Sequence, residues 1–204
     1  MLIKALGCSA CVEPDVMVKG FVKNDILLMC SDGLTNMVED EDIFNIIKGY
    51  NGSGKVLVSG QSAGAWMGAM LMLDKKYLES VNLNVMDIAG WIIESGQMTS
   101  HFNVLEIESK LNPLAQRIDE RAPIYFVNEN TKFNSAIFFY YDNDMPMRKL
   151  QNLLLEETVK RFNPKADIET KELPGTHCYG SSFRVDGEYR YVKESLIWLK
   201  KKGF

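Results

Sequence analysis

Residues 60–64 read Gly-Gln-Ser-Ala-Gly, directly after the apolar run Val56-Leu57-Val58. A serine between two glycines at this spacing forms a nucleophile elbow. The glycines allow a sharp, strained strand-to-helix turn that lifts the Ser62 hydroxyl to the top of a sheet and aims the following backbone N–H at a developing oxyanion. The flanks have the right texture. Residues 55–59 read as a buried strand, and residues 63–73 are small and apolar, as in a helix packed on a parallel sheet. The alternative is an ordinary tight turn between a strand and a helix.

A serine nucleophile needs a base to take its proton and an acid to orient that base. In a sheet of this kind they follow in the order Ser, Asp or Glu, His. Asp142 and Asp144 lie just after an expected strand at residues 136–141, where a carboxylate projects at the carboxyl edge of the sheet. Either can serve as the acid, and each can instead be a helix cap, because Asp144-Met145-Pro146 opens a helix. His177 follows another strand and precedes the last helix, which places it as the base. His101, the other histidine, lacks that order and reads as structural or substrate-facing.

The elements that must hold these groups alternate. After the polar turn at residues 49–54 come a strand at 55–59, a helix to about 73, strands at 88–94 and 136–141, a helix at 147–162, a strand at 168–173 and a final helix at 189–201. This is an α/β pattern with a mainly parallel sheet. Residues 97–134 are polar and irregular apart from Ile124-Tyr125-Phe126-Val127, and lie where an insertion over a site belongs. Upstream, residues 16–22 and 26–30 read as a β-hairpin and residues 39–47 as a helix. The expected division is 1–48 and 49–204.

The composition narrows the function. A chain of 204 residues, 46% hydrophobic and 25% charged, can bury one sizeable core. Its net charge of −4, with no basic block beyond Lys200-Lys201-Lys202, leaves no footprint for a nucleic acid. No apolar run reaches the roughly 20 residues that cross a bilayer, and residues 1–11 lack the apolar core of a signal peptide, so a cytoplasmic, non-membrane protein is expected. Cys8, Cys11, Cys30 and Cys178 form neither a disulfide framework nor a zinc pattern and read as free thiols. Residues 49–55 nearly spell a phosphate-binding loop, but Val56 stands where Ser or Thr is required and a strand follows where a helix should begin. Met67, Met70 and Met72 read as pliable core packing, and Trp66 and Trp91 as core or pocket wall.

From residue 49 onward the sequence resembles the second half of an α/β-hydrolase, close to bacterial feruloyl or acetyl-xylan esterase-like carboxylesterases. The matching residues are 52–64, Thr99-Ser100-His101-Phe102, residues 142–147 and Gly175-Thr176-His177. The resemblance implies Ser62 as acylated nucleophile, His177 as general base and acid, Asp144 as orienting carboxylate and Ala63 N–H as an oxyanion donor. It implies hydrolysis of a small carboxylic ester through an acyl-enzyme, without cofactor or metal. Such hydrolases carry several strands and a glycine-rich loop before the elbow, the loop completing the oxyanion hole, and residues 1–50 contain no counterpart. Loss of one oxyanion donor costs about 2.7–4 kcal/mol. Without earlier neighbours, strand 55–59 becomes an edge, to be covered by the N-terminal hairpin or by a second copy in a homo-oligomer.

Residues 4–7 and 24–38, with Ser31-Asp32-Gly33-Leu34 at their centre, resemble an internal strip of a bacterial type 2C metal-dependent serine/threonine phosphatase. The resemblance implies Asp32 as a Mn²⁺ or Mg²⁺ ligand. The family's other metal-binding motifs are absent, and one carboxylate does not hold a catalytic metal pair. Asp25 and Asp32 also read as turn residues around a hairpin and a helix start. The expected chain is thus a partial α/β-hydrolase with an added hairpin and helix, working as a serine esterase. The alternatives are a catalytically silent chimera and a phosphatase fragment.

Overall fold

The computed structural model describes residues 55–102 and 116–204, together with Glu41. The chain divides into two units, Met1–Gly54 and Lys55–Phe204, and the architecture below is that of the second. The expected hairpin, the expected helix apart from Glu41, which is helical, and Asp25, Asp32, Cys8, Cys11 and Cys30 lie outside the described residues.

Four parallel strands, β1 (Leu57–Gln61), β2 (Gly90–Glu94), β3 (Ser135–Asn143) and β4 (Ile168–Thr176), form one sheet in the order β1-β2-β3-β4. The helices are α1 (Ala63–Leu73), α2 (Lys76–Glu79), α3 (Arg148–Phe162), α4 (Tyr179–Ser182) and α5 (Arg190–Lys201). A two-stranded ribbon, β5 (Arg184–Val185) and β6 (Glu188–Tyr189), closes through Asp186 and Gly187, both at positive φ. An Asp-Gly pair is a strong short-range hairpin signal.

Strand alternation sorts the core into two layers. Trp91, Ile93, Ala136 and Phe138 face a cluster with Ala65, Ala69 and Met72 of α1 and Leu155 and Val159 of α3. Ile92, Ile137, Phe139 and Tyr141 face the other, with Leu173 of β4 and Tyr191 and Trp198 of α5. The middle strands are therefore covered on both faces, which is why they read as continuous apolar runs rather than alternating ones. α1 can lie close to the sheet because its contact residues are small; a Cβ on Gly68 would stand 3.0 Å from the Ile93 side chain.

The parallel α/β expectation holds, with shifted boundaries. β1 runs through Gly60 to Gln61 rather than ending at Ser59, because the turn itself is made by Ser62. β4 runs on through Pro174 and Gly175, which is possible on an edge strand. Met67 is corrected: Met70 and Met72 are buried, whereas Met67 is 58% exposed. Trp91 is in the core and Trp66 is half-buried, its indole N–H donating to the Arg121 carbonyl at 3.0 Å. Among the described residues, no helix is long and apolar enough to cross a membrane.

Candidate active site

Ser62 sits between β1 and α1 with φ 52° and ψ −115°, a strained backbone for a residue with a side chain. Two backbone bonds hold it there. Its N–H donates to the Glu94 carbonyl at the end of β2 (2.9 Å), and its carbonyl accepts the Trp66 N–H as α1 begins (3.1 Å). The turn is so tight that a Cβ on Gly60 would lie 2.3 Å from the Gly64 carbonyl oxygen. Gly64 differs: among the described residues nothing lies within 4 Å of a Cβ built there. Ala63 occupies the first helical position, whose N–H has no partner within the helix.

His177, 115 positions further along, brings Nε2 to 2.8 Å from Ser62 Oγ. Its Nδ1 lies 2.6 Å from Asp144 Oδ1, and the Asp144 side chain is only 2% exposed. Asp144 is held by three more donors: Ser95 Oγ (2.8 Å), Met145 N–H (2.7 Å) and Tyr141 N–H (3.2 Å). Burial pushes the Asp144 carboxyl up, but the hydrogen bonds from His177, Ser95 and Met145 outweigh it and leave the group below the usual carboxylate range. The acid is therefore ionised at neutral pH and can both fix the imidazole tautomer and stabilise an imidazolium.

Asp142, the alternative acid, is exposed and accepts the Gly175 N–H at 2.9 Å, joining the ends of β3 and β4 instead of meeting His177. An irregular register between Tyr141 and Asn143 separates the two aspartates. Asp144 is not a helix cap either: α3 starts at Arg148, after Met147 in the left-handed region. His101 is buried, stacked on Phe102 and close to the Trp66 ring. Burial and the nearby Arg148 hold its pKa below the usual histidine value.

Four residues at this edge escaped the sequence reading. Ser95, fully buried at φ 55°, donates to Asp144 and accepts the Cys178 N–H at 3.3 Å. Glu94 and Tyr141 are buried together, the tyrosine hydroxyl donating to the carboxylate. Arg148 is buried, and among the described residues its Nε has no partner and its Nη2 lies 3.8 Å from the Met145 sulfur. The signal for Glu94 was present: an acid ends a strand that otherwise reads Gly-Trp-Ile-Ile. Cys178 is no competing nucleophile, since burial, with Glu94 and Asp144 nearby, pushes its thiol up to about 12. Among the described residues, no group of three His, Cys, Asp or Glu side chains could hold a metal ion.

A parallel sheet with helices on both faces, a strained serine between strand and helix, and an acid and a histidine from the next strand ends define the second unit as an α/β-hydrolase fold. It is similar to a thermophilic esterase of Thermogutta terrifontis, whose propionate-bound form gives a TM-score of 0.53 at 18% identity, covering 72% of this chain and 56% of that one. The acylaminoacyl peptidase of Pyrococcus horikoshii gives 0.52 at 14% identity, covering 79% and 26%. In sequence, 48 residues are 48% identical to the serine/threonine phosphatase stp of Listeria monocytogenes and of Listeria innocua, 24% of this chain and 19% of those proteins. No family model matches. Both parts of the resemblance read from the sequence are thus met. The chain spans about half the length of the esterase and about a fifth of the phosphatases.

Proposed function

We propose that Lys55–Phe204 acts as a serine carboxylic-ester hydrolase. The observation that carries this reading is His177, with one ring nitrogen 2.8 Å from Ser62 Oγ and the other 2.6 Å from Asp144. In the proposed reaction Ser62 Oγ attacks the ester carbonyl carbon while His177 Nε2 takes its proton. Asp144 stabilises the imidazolium, and Ala63 N–H donates to the carbonyl oxygen as it becomes an oxyanion. His177 then returns the proton to the alkoxide as the C–O bond breaks, leaving acyl-Ser62. Water, activated by His177, releases the acid and regenerates the serine. Neither step calls for a metal or cofactor, and the substrate is a small ester.

The neighbours named as an esterase and a peptidase support acyl transfer as the reaction class. We read the chain as a phosphatase-like segment, 1–48, joined to the hydrolase-like segment 49–204. The second reading, a catalytically silent chimera, is favoured by one observation: among the described residues β1 has a strand neighbour on one side only. A single assay separates the two, turnover of short-chain nitrophenyl esters by the parent and by Ser62→Ala. Turnover that disappears with Ser62 supports the esterase; none in either supports the silent chain.

A further inference from the structure

His177 and Cys178 join β4 to α4. Cys178 stands in the left-handed region at φ 54°, and the His177 side chain is 25% exposed. From the backbone of 177–180, two N–H groups reach the sheet: Cys178 N–H to Ser95 Oγ at 3.3 Å, and Gly180 N–H to the Tyr141 hydroxyl at 2.7 Å. The second is the shorter, and the approach is specific to glycine, because a Cβ at position 180 would stand 2.4 Å from the Tyr141 oxygen.

In accepting from Gly180, the Tyr141 hydroxyl must still place its own proton, and it does so in a dry interior. Tyr141 is 1% exposed and Glu94 is 0% exposed. Glu94 Oε1 takes that proton. Among the described residues Glu94 Oε2 has no hydrogen-bond partner, and burial raises the carboxyl's pKa against the opposing pull of the Ser181 and Tyr141 hydroxyls. The same residue accepts the Ser62 N–H through its main-chain carbonyl at 2.9 Å. One residue therefore touches the serine turn through its backbone and, by way of the Tyr141 hydroxyl, reaches the histidine loop.

We propose that Glu94 and Tyr141 form a buried tether that positions His177 against Ser62, a role that rests on reading those two residues as base and nucleophile. Both are positioning residues: neither touches the reacting atoms, and their effect passes through Gly180 to the imidazole three positions earlier. The Glu94 side chain acts as an acceptor for the Tyr141 proton, and a carboxamide oxygen serves the same purpose.

The test uses the full chain with Tyr141→Phe, Glu94→Leu and Glu94→Gln, and two readouts. Turnover is expressed per Ser62 titrated with a fluorophosphonate, which removes unfolded protein from the count. Tyr141→Phe and Glu94→Leu are expected to lower kcat about tenfold with KM nearly unchanged, and Glu94→Gln to recover to within about threefold of the parent. Amide hydrogen exchange is the second readout. Gly180 N–H should exchange about tenfold faster in Tyr141→Phe, while Ile93 and Phe139 in the sheet stay as in the parent. Unchanged kcat per titrated site, exchange that rises throughout the sheet, or Glu94→Gln falling as far as Glu94→Leu overturns the tether. Should the parent itself lack Ser62-dependent turnover, the esterase reading fails, and exchange at Gly180 alone then upholds or overturns the tether.

Discussion

The carboxyl ends of β2 to β4 and the outer side of β1 are built to different standards. At the strand ends Asp144 collects four donors, and the side chains of Glu94, Ser95 and Tyr141 are buried and hydrogen-bonded. On the β1 side Val56 is 53% exposed, Met67 is 58% exposed, and an apolar hollow of about 490 Å³ is lined by Val58, Trp66, Met67 and Leu71. Asp144 and His177 belong to the first side and Ser62 to the turn that leaves β1, while Glu94 Oε2 and Arg148 Nε have no partner among the described residues. Ser62, His177 and Asp144 thus meet within the second unit, whereas among the described residues β1 pairs with β2 alone and its other side is open. A strand with unpaired N–H and C=O groups is a template for another chain.

The largest effects should fall at the strand ends. Asp144→Asn, which leaves the shape but loses the tautomer control, should lower kcat/KM for a nitrophenyl ester about 10³–10⁴-fold. Asp142→Asn should change it less than about twofold, since that carboxylate only ties β3 to β4. Equal losses in both would erase the distinction between the two aspartates. Ser95→Ala removes one of the four donors to Asp144, and kcat should fall about tenfold.

The serine turn itself lets the comparison be made on stability. Gly60→Ala drives a Cβ into backbone and should cost about 3 kcal/mol in urea unfolding. Gly64→Ala, by contrast, enters open space in the first turn of α1 and should stabilise by roughly 0.5–1 kcal/mol through helix propensity. A substantial loss in Gly64→Ala would show that some element packs closely on that side after all. If a second copy covers β1, specific activity should rise with protein concentration; a flat profile removes that assembly.

The smallest effect concerns pH. Burial raises the Glu94 pKa, so between its unfolded and folded values the native state binds more protons and stability falls as pH rises. Glu94→Gln lacks this loss, and its Tm relative to the parent should climb as the pH rises above about 4.5. A constant difference would mean that Glu94 is not desolvated in the folded chain.

Much of this was legible in the sequence for physical reasons. The glycines of the serine turn, the apolar β2 and β3 and the late His177 each announce themselves through backbone demands or chain order. Asp144 was preferred over Asp142 on its motif, but the local sequence leaves Asp142 open, because both follow the apolar run 136–141 and the choice rests on the irregular register at Tyr141 and Asn143 and on donors from Ser95 and Met145. Ser95 and Tyr141 belong to tertiary contacts between segments distant in sequence, and the burial of Arg148 in the first turn of α3 carries no local pattern. Met67 was misplaced because it has the chemistry of a core residue and lies on the face of α1 that remains open.

The most direct measurement is mass spectrometry of the purified full chain after fluorophosphonate treatment, beside Ser62→Ala. A serine activated by His177 should give a single phosphonyl adduct on the peptide carrying Ser62, lost in Ser62→Ala and slowed in His177→Ala. An unlabelled Ser62, or equal labelling of the Ser62→Ala chain, would contradict that activation.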